Sequence, residues 1–257
     1  MKTLLLPIFS MMLLFLNACG MNMVVGSGNL MEETRDAQDF DQVILSVPAR
    51  LVLTQGESES LEISADNNLL PYIHTKVIDG VLSIYVEPEF TSLKPTEEIQ
   101  IRLSAKNISG LTINGSGEIE SEAINTEALS LRINGSGQIA VEKIEAGQLN
   151  ATINGAGEMS FGNVVTQTTS LRIDGSGKYL IAGQSVEATV SINGSGKIRA
   201  QDLECEQVQA TISGAGDIWV SASEQLTASI TGSGNISYRG QAKVSQVING
   251  SGSIRQE

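Results

Sequence analysis

The sequence predicts an all-β protein: a parallel β-helix, or β-solenoid, of about seven to eight coils of 18–20 residues, preceded by a small, mainly antiparallel β unit. Three observations carry the prediction. The pentapeptide INGSG stands at 113–117, 133–137, 192–196 and 248–252. Its variants INGAG, IDGSG, ISGAG and ITGSG fill 153–157, 173–177, 212–216 and 230–234, so its first glycine recurs every 18–20 residues. A fixed period of this size marks a solenoid, in which one repeat cannot bury its apolar face without neighbours. Apolar residues keep the same period: Leu111, Ile113, Ile119, Ile124 and Leu129 return as Leu131, Ile133, Ile139, Ile144 and Leu149, and later as Val190, Ile192, Ile198, Leu203 and Val208. Ahead of the repeat, short alternating or β-branched runs are separated by turn residues.

In chain order, residues 1–18 read as a signal peptide. Lys2 supplies a positive n-region and residues 4–16 (LLLPIFSMMLLFL) an apolar h-region, shorter than the ~20 residues of a spanning helix. Leu16-Asn17-Ala18-Cys19 resembles the bacterial lipobox, which makes Cys19 the expected lipidation site and the membrane an expected partner through the lipid. Residues 19–36, rich in Gly, Asn and acids, read as a flexible tether. Residues 37–108 form the N-terminal β unit expected to cap the solenoid, with strand-like runs at 40–47, 49–55, 60–65, 74–78, 81–87 and 98–104. Asp79-Gly80 signals a hairpin turn, and DNNLLPYI (66–73) a single helical turn with Asp66 as its N-cap. Residues 109–257 are the solenoid, and only Arg255, Gln256 and Glu257 follow its last coil, which leaves that edge open to self-association.

The pentapeptide itself is explained by a bend. With Leu131 pointing in, strict alternation puts Ile133, Gly135, Gly137 and Ile139 inward and Arg132, Asn134, Ser136 and Gln138 outward. Glycine suits the inner side of a corner, where a side chain has no room. Asn and Ser stack outside at the ~4.8 Å coil spacing, close enough to bond along the ladder. A phosphate-cradling loop needs a following helix, and no helical pattern follows. A calcium repeat needs a recurrent Asp, and Asp174 is the single Asp at that position of the motif.

Composition excludes much chemistry. Net charge is −13, with no Lys/Arg cluster of the kind that nucleic-acid binding needs. His74 is the only histidine, and two cysteines, Cys19 and Cys205, offer no metal cluster. Neither a cofactor nor a metal is expected. Cys205 lies between Glu204 and Glu206, which disfavour a thiolate. Parallel β-helices also host polysaccharide lyases and glycosidases, but their grooves come from long loops, and coils of 18–20 residues leave none.

The repeated INGSG, the preceding β unit and the lipobox-like leader together resemble the bacterial head GIN domain family, an autotransporter-adhesin-like group. The resemblance covers roughly residues 38–250. It implies a β-helix-like fold and an envelope location, and brings no catalytic residues with it. The chain has neither the long heptad stalk of a trimeric adhesin nor an evident translocator barrel.

The expected function is therefore that of a non-enzymatic outer-membrane lipoprotein, a binding or adhesion-like module on the periplasmic or surface face. A purely structural envelope lipoprotein and a carbohydrate-active β-helix enzyme are the alternatives. For a glycan or protein ligand, alternation singles out one strip: Leu180, Arg199 and Trp219 should share an outward slot on consecutive coils, and aromatic residues beside arginine are common in binding surfaces.

Overall fold

The structure, a computed structural model, describes residues 22–88 and 91–257. The chain runs through β1 (Asn22–Val25), β2 (Leu30–Arg35), β3 (Gln42–Ser46), β4 (Ala49–Gln55), β5 (Ser60–Asp66), a 3-10 turn (Leu70–Tyr72), β6 (Ile73–Ile78), β7 (Val81–Val86), β8 (Thr91–Lys94) and β9 (Ile99–Ala105). The repeat follows as β10 (Gly110–Gly115), β11 (Glu118–Gly135), β12 (Gln138–Gly155), β13 (Glu158–Gly175), β14 (Lys178–Gly194), β15 (Lys197–Gly214), β16 (Asp217–Gly232), β17 (Asn235–Arg239), β18 (Lys243–Gly250) and β19 (Ser253–Gln256).

The solenoid is a stack of parallel coils in one-to-one register. Ile119, Ile124, Leu129, Leu131 and Ile133 of β11 lie beside Ile139, Ile144, Leu149, Ala151 and Ile153 of β12. All are at most 1% exposed. Each fully buried Leu or Ile contributes roughly 1.5–3 kcal/mol relative to exposure. A coil has no core alone, so this burial exists only between neighbours. Two exposed pairs, Glu122-Ala123 and Glu127-Ala128, interrupt the inward alternation in β11. With the glycine bend they are the three corners of each coil, and they divide it into a short first face (118–121), a second (124–126) and a third (129–134).

The two glycines of the bend do different jobs. Gly137 is buried as expected, and a Cβ there would sit 2.6 Å from the Gly117 carbonyl oxygen and 2.7 Å from Ile113 Cγ2. Gly135 is not a second inward filler. Its φ is +137°, and an added Cβ would run into the backbone of Gly115 in the preceding coil. The corner, not the core, requires glycine there. Outside, the Asn ladder forms: Asn134 Nδ2 donates to Asn114 Oδ1 at 2.9 Å, and Asn154 Nδ2 to Asn134 Oδ1 at 2.8 Å. Asp174 continues the column, held by Arg172 at 2.7 and 2.8 Å.

The N-terminal unit differs from the expectation in two ways. It is mixed rather than mainly antiparallel. β3 and β4 pair in parallel with β10 and β11, and β7 and β9 pair in parallel behind them. Antiparallel pairs, β2–β5, β5–β9 and β6–β7, lie farther out. Strands docking on a parallel coil edge adopt its direction, whereas hairpin neighbours reverse it. The first and third faces thus continue into the N-terminal unit as one sheet. At the intervening second face Gln55 holds the edge backbone, accepting from Asn125 N at 2.8 Å and donating to Asn125 O at 3.0 Å.

Second, the tether is partly structured. Residues 22–25 and 30–35 are strands, β1 parallel to β8 and β2 antiparallel to β5. The fully buried Asp66 fastens them. Its carboxylate accepts from Gly28 N at 2.7 Å, Thr96 N at 2.9 Å and Thr96 Oγ1 at 2.8 Å. Asp66 is therefore not a helix cap; Leu69 precedes the 3-10 turn, without a side-chain cap. The Asp79-Gly80 hairpin forms as expected, with φ of +50° and +79°. Cys19 and the leader lie outside the described residues.

Candidate contact site

The first face carries two outward columns. One runs Arg50, Glu118, Gln138, Glu158, Lys178, Lys197 and Asp217 from β4 to β16. The other runs Val52, Glu120, Ala140, Ser160, Leu180, Arg199 and Trp219. The strip singled out by alternation is thus contiguous. Leu180 is 49% exposed, Arg199 is exposed, and its guanidinium carbon lies 5.9 Å from the centre of the Trp219 ring. Trp219 points outward but is half-buried rather than fully exposed, partly because long neighbours lie along it.

Sequence reasoning missed the charge around this strip. Lys178 and Lys197 stand beside Leu180 and Arg199, and with Glu158 and Tyr179 they line a hollow of about 270 Å³. Lys178 approaches Glu158 at 3.9 Å. Lys197 and Arg199 form no ion pair among the described residues. Three neighbouring cations are notable on a chain with 16 basic and 29 acidic residues. Lys197 and Arg199 are two residues apart, and Lys178 joins them from nearly a full coil earlier in the sequence, so no run of basic residues betrays the group. The other half of the same face is acidic. Glu120 is bound by Arg50 at 2.6 Å. Burial, and then the adjacent Glu120 charge, raise the Glu118 carboxyl above its ordinary value.

A second concavity lies on the second face. It measures about 490 Å³ and is lined by Thr166, Ser185, Glu204, Cys205 and Ser223 among others. It forms where coils shorten, at register shifts between β13 and β14 and between β15 and β16. Its buried hydroxyls already satisfy one another: Thr166 meets Thr169 at 2.7 Å and Ser185 at 3.0 Å, and Ser185 donates to Glu187 O at 2.8 Å. Cys205 is 5% exposed, and burial pushes its thiol up to about 12. Burial, rather than Glu204 and Glu206, which are exposed, is what disfavours the thiolate. His74 stacks on Tyr85 with ring centres 5.8 Å apart, a packing role.

Solved structures resemble the chain over nearly its whole length. A protein from Parabacteroides distasonis described as "Putative lipid binding protein" is 27% identical, with TM-score 0.88 over 92% of this chain and 100% of that one. A "putative adhesin" from Parabacteroides merdae is 26% identical, with TM-score 0.87 over 92% and 99%. Another "putative adhesin" from Parabacteroides distasonis, 24% identical with TM-score 0.87 over 92% and 100%, matches in fold. No curated protein sequence matches. The family model described as "Putative auto-transporter adhesin, head GIN domain" matches residues 39–242, an adhesin-like β-solenoid group to which this chain belongs.

Proposed function

We propose that the protein is a non-enzymatic, lipid-anchored adhesion module of the bacterial cell envelope that makes contact through the first face of its solenoid. One observation carries the reading: an uninterrupted outward strip, Leu180–Arg199–Trp219, flanked by Lys178 and Lys197 on rigid consecutive strands. Rigid strands hold such side chains at fixed spacing, which lowers the entropy lost on binding. The family's adhesin-like description supports the same reading. Cys19 in its lipobox-like setting supplies the anchor.

Two measurements test this. Metabolic labelling with a fatty-acid analogue should mark the wild-type chain and not Cys19→Ser; equal labelling removes the anchor. Cells displaying Trp219→Ala should bind neighbouring cells and matrix several-fold more weakly than wild type, at unchanged surface abundance. Undiminished binding removes the first face from the contact.

A further inference from the structure

We infer that the first face is self-complementary, and that its partner is a second copy of this chain packed antiparallel, face to face. The inference rests on the contact reading proposed above and names the partner.

The two columns have a pseudo-symmetric pattern centred on β13. Consider a two-fold axis lying in the face, parallel to the strands, along β13 through Glu158 and Ser160. It maps β4 onto β16 of the other copy, β11 onto β15 and β12 onto β14. Such an interface is isologous: if residue i meets j, then j meets i. In one column Val52 then meets Trp219, Glu120 meets Arg199, and Ala140 meets Leu180. In the other, Arg50 meets Asp217, Glu118 meets Lys197, and Gln138 meets Lys178. The column positions come from the ladder register. Each charged residue meets the opposite charge or a neutral amide, and each apolar residue meets an apolar one. Val52 and Leu180, both exposed large hydrophobics at 39% and 49%, are covered together. The one like-charged meeting is Glu158 with itself on the axis, and Lys178 stands 3.9 Å from it in each copy. Alternate placement does not produce this pattern by default, because strand periodicity sets in and out but not the sign of charge.

Size decides the strength. Seven strands at ~4.8 Å and four residues at ~3.3 Å give a face of roughly 29 by 13 Å. The two copies would bury on the order of 750 Å², below the ~1,200 Å² of stable complexes. Single contacts are therefore weak, and many in parallel hold. Antiparallel packing sends the two N-terminal ends in opposite directions. Copies anchored in one membrane cannot pair this way side by side, whereas copies on two facing membranes can. The geometry points to homotypic contact between cells.

The experiment uses the full-length chain reconstituted into vesicles of two colours, scored by light scattering and two-colour coincidence, with incorporation matched. Wild-type vesicles should cluster, less at high salt. Arg199→Glu alone should abolish clustering, because the introduced carboxylate would face Glu120 of the other copy. Glu120→Arg alone should abolish it for the converse reason. Mixing the two variants should restore clustering, with two-coloured aggregates only, since both pairs are then opposite in sign. Thermal melts within a degree or two of wild type establish folding, and the milder Arg199→Ala and Glu120→Ala each reduce clustering several-fold. Unimpaired single variants overturn the inference, as does a mixture that fails to cluster. A face that binds an anionic glycan instead loses binding with Arg199→Glu and keeps it with Glu120→Arg. If vesicles stay dispersed while Trp219-dependent cell binding persists, the homotypic partner falls and the contact face stands. If both vanish, both fall.

Discussion

Replacing Gly137 with alanine adds a single carbon at the tightest point of the bend. That carbon would lie 2.6 Å from the Gly117 carbonyl oxygen, 2.7 Å from Ile113 Cγ2 and 3.3 Å from Ile113 Cδ1, where ordinary contact begins at 3.4 Å. The oxygen is not free to retreat, because it accepts from Gln138 N at 3.0 Å. The isoleucine is buried on all sides and can move only by leaving its rotamer. Overpacking of this kind costs about 1–3 kcal/mol. For a domain above 150 residues, each kcal/mol lowers Tm by ~2–4 °C, so Gly137→Ala should melt roughly 2–12 °C below wild type by circular dichroism. The neighbouring outward Gln138→Ala should stay within ~0.5 kcal/mol. Equal melting of the two variants refutes the assignment of Gly137 to the inner corner.

Asn134→Ala removes both links of its ladder, to Asn114 and from Asn154. A loss of about 1–2 kcal/mol in a melt is expected, with Ser136→Ala near neutral; the reverse order contradicts the ladder. Thr96 N–H, then the Thr96 hydroxyl and Gly28 N–H, hold the Asp66 carboxyl below its ordinary value. A lowered carboxyl stabilises the fold above the unfolded-state value of ~3.9 and stops doing so as pH falls through the folded value. Asp66→Asn should therefore speed hydrogen exchange in residues 22–35 at neutral pH, and the difference from wild type should close only as pH falls through the lowered folded value; a gap independent of pH contradicts this. Native protein at about pH 8 should not react with a thiol reagent at Cys205 until denaturant is added, and rapid stoichiometric labelling contradicts its burial.

The repeat region is readable because one physical requirement, burying an inward row against identical rows, is written many times. Alternation alone places Leu131, Ile133 and Ile139 inward, and the column through Leu180, Arg199 and Trp219 outward. It fails at Gly135 because alternation says which way a residue points, not which φ its corner needs. β1 and β2 look like tether in sequence because MVV and EET are short and polar-flanked, and their partners, β8 and β5, lie tens of residues away. Asp66 has the look of a cap in sequence, and only the fold brings Thr96 and Gly28 to it. The alternating charge of the first face is hidden for the same reason, since its neighbours are a coil apart.

The one-to-one register between coils has a genetic consequence. An in-frame insertion or deletion of one repeat adds or removes a whole coil whose inward positions match those of its neighbours. Such a change alters length by ~4.8 Å and leaves every neighbouring contact type intact, so the fold tolerates it. The first face does not tolerate it everywhere. A coil gained between β11 and β15 keeps Glu120 opposite Arg199 with the two-fold moved by half a coil, whereas a coil gained between β4 and β11 or between β15 and β16 puts Arg50–Asp217 and Glu120–Arg199 out of step with each other. If copies pair through this face, two chains differing by one coil at β13 match each other at only one end of it while each still matches itself at both, so coil number sets which copies fit.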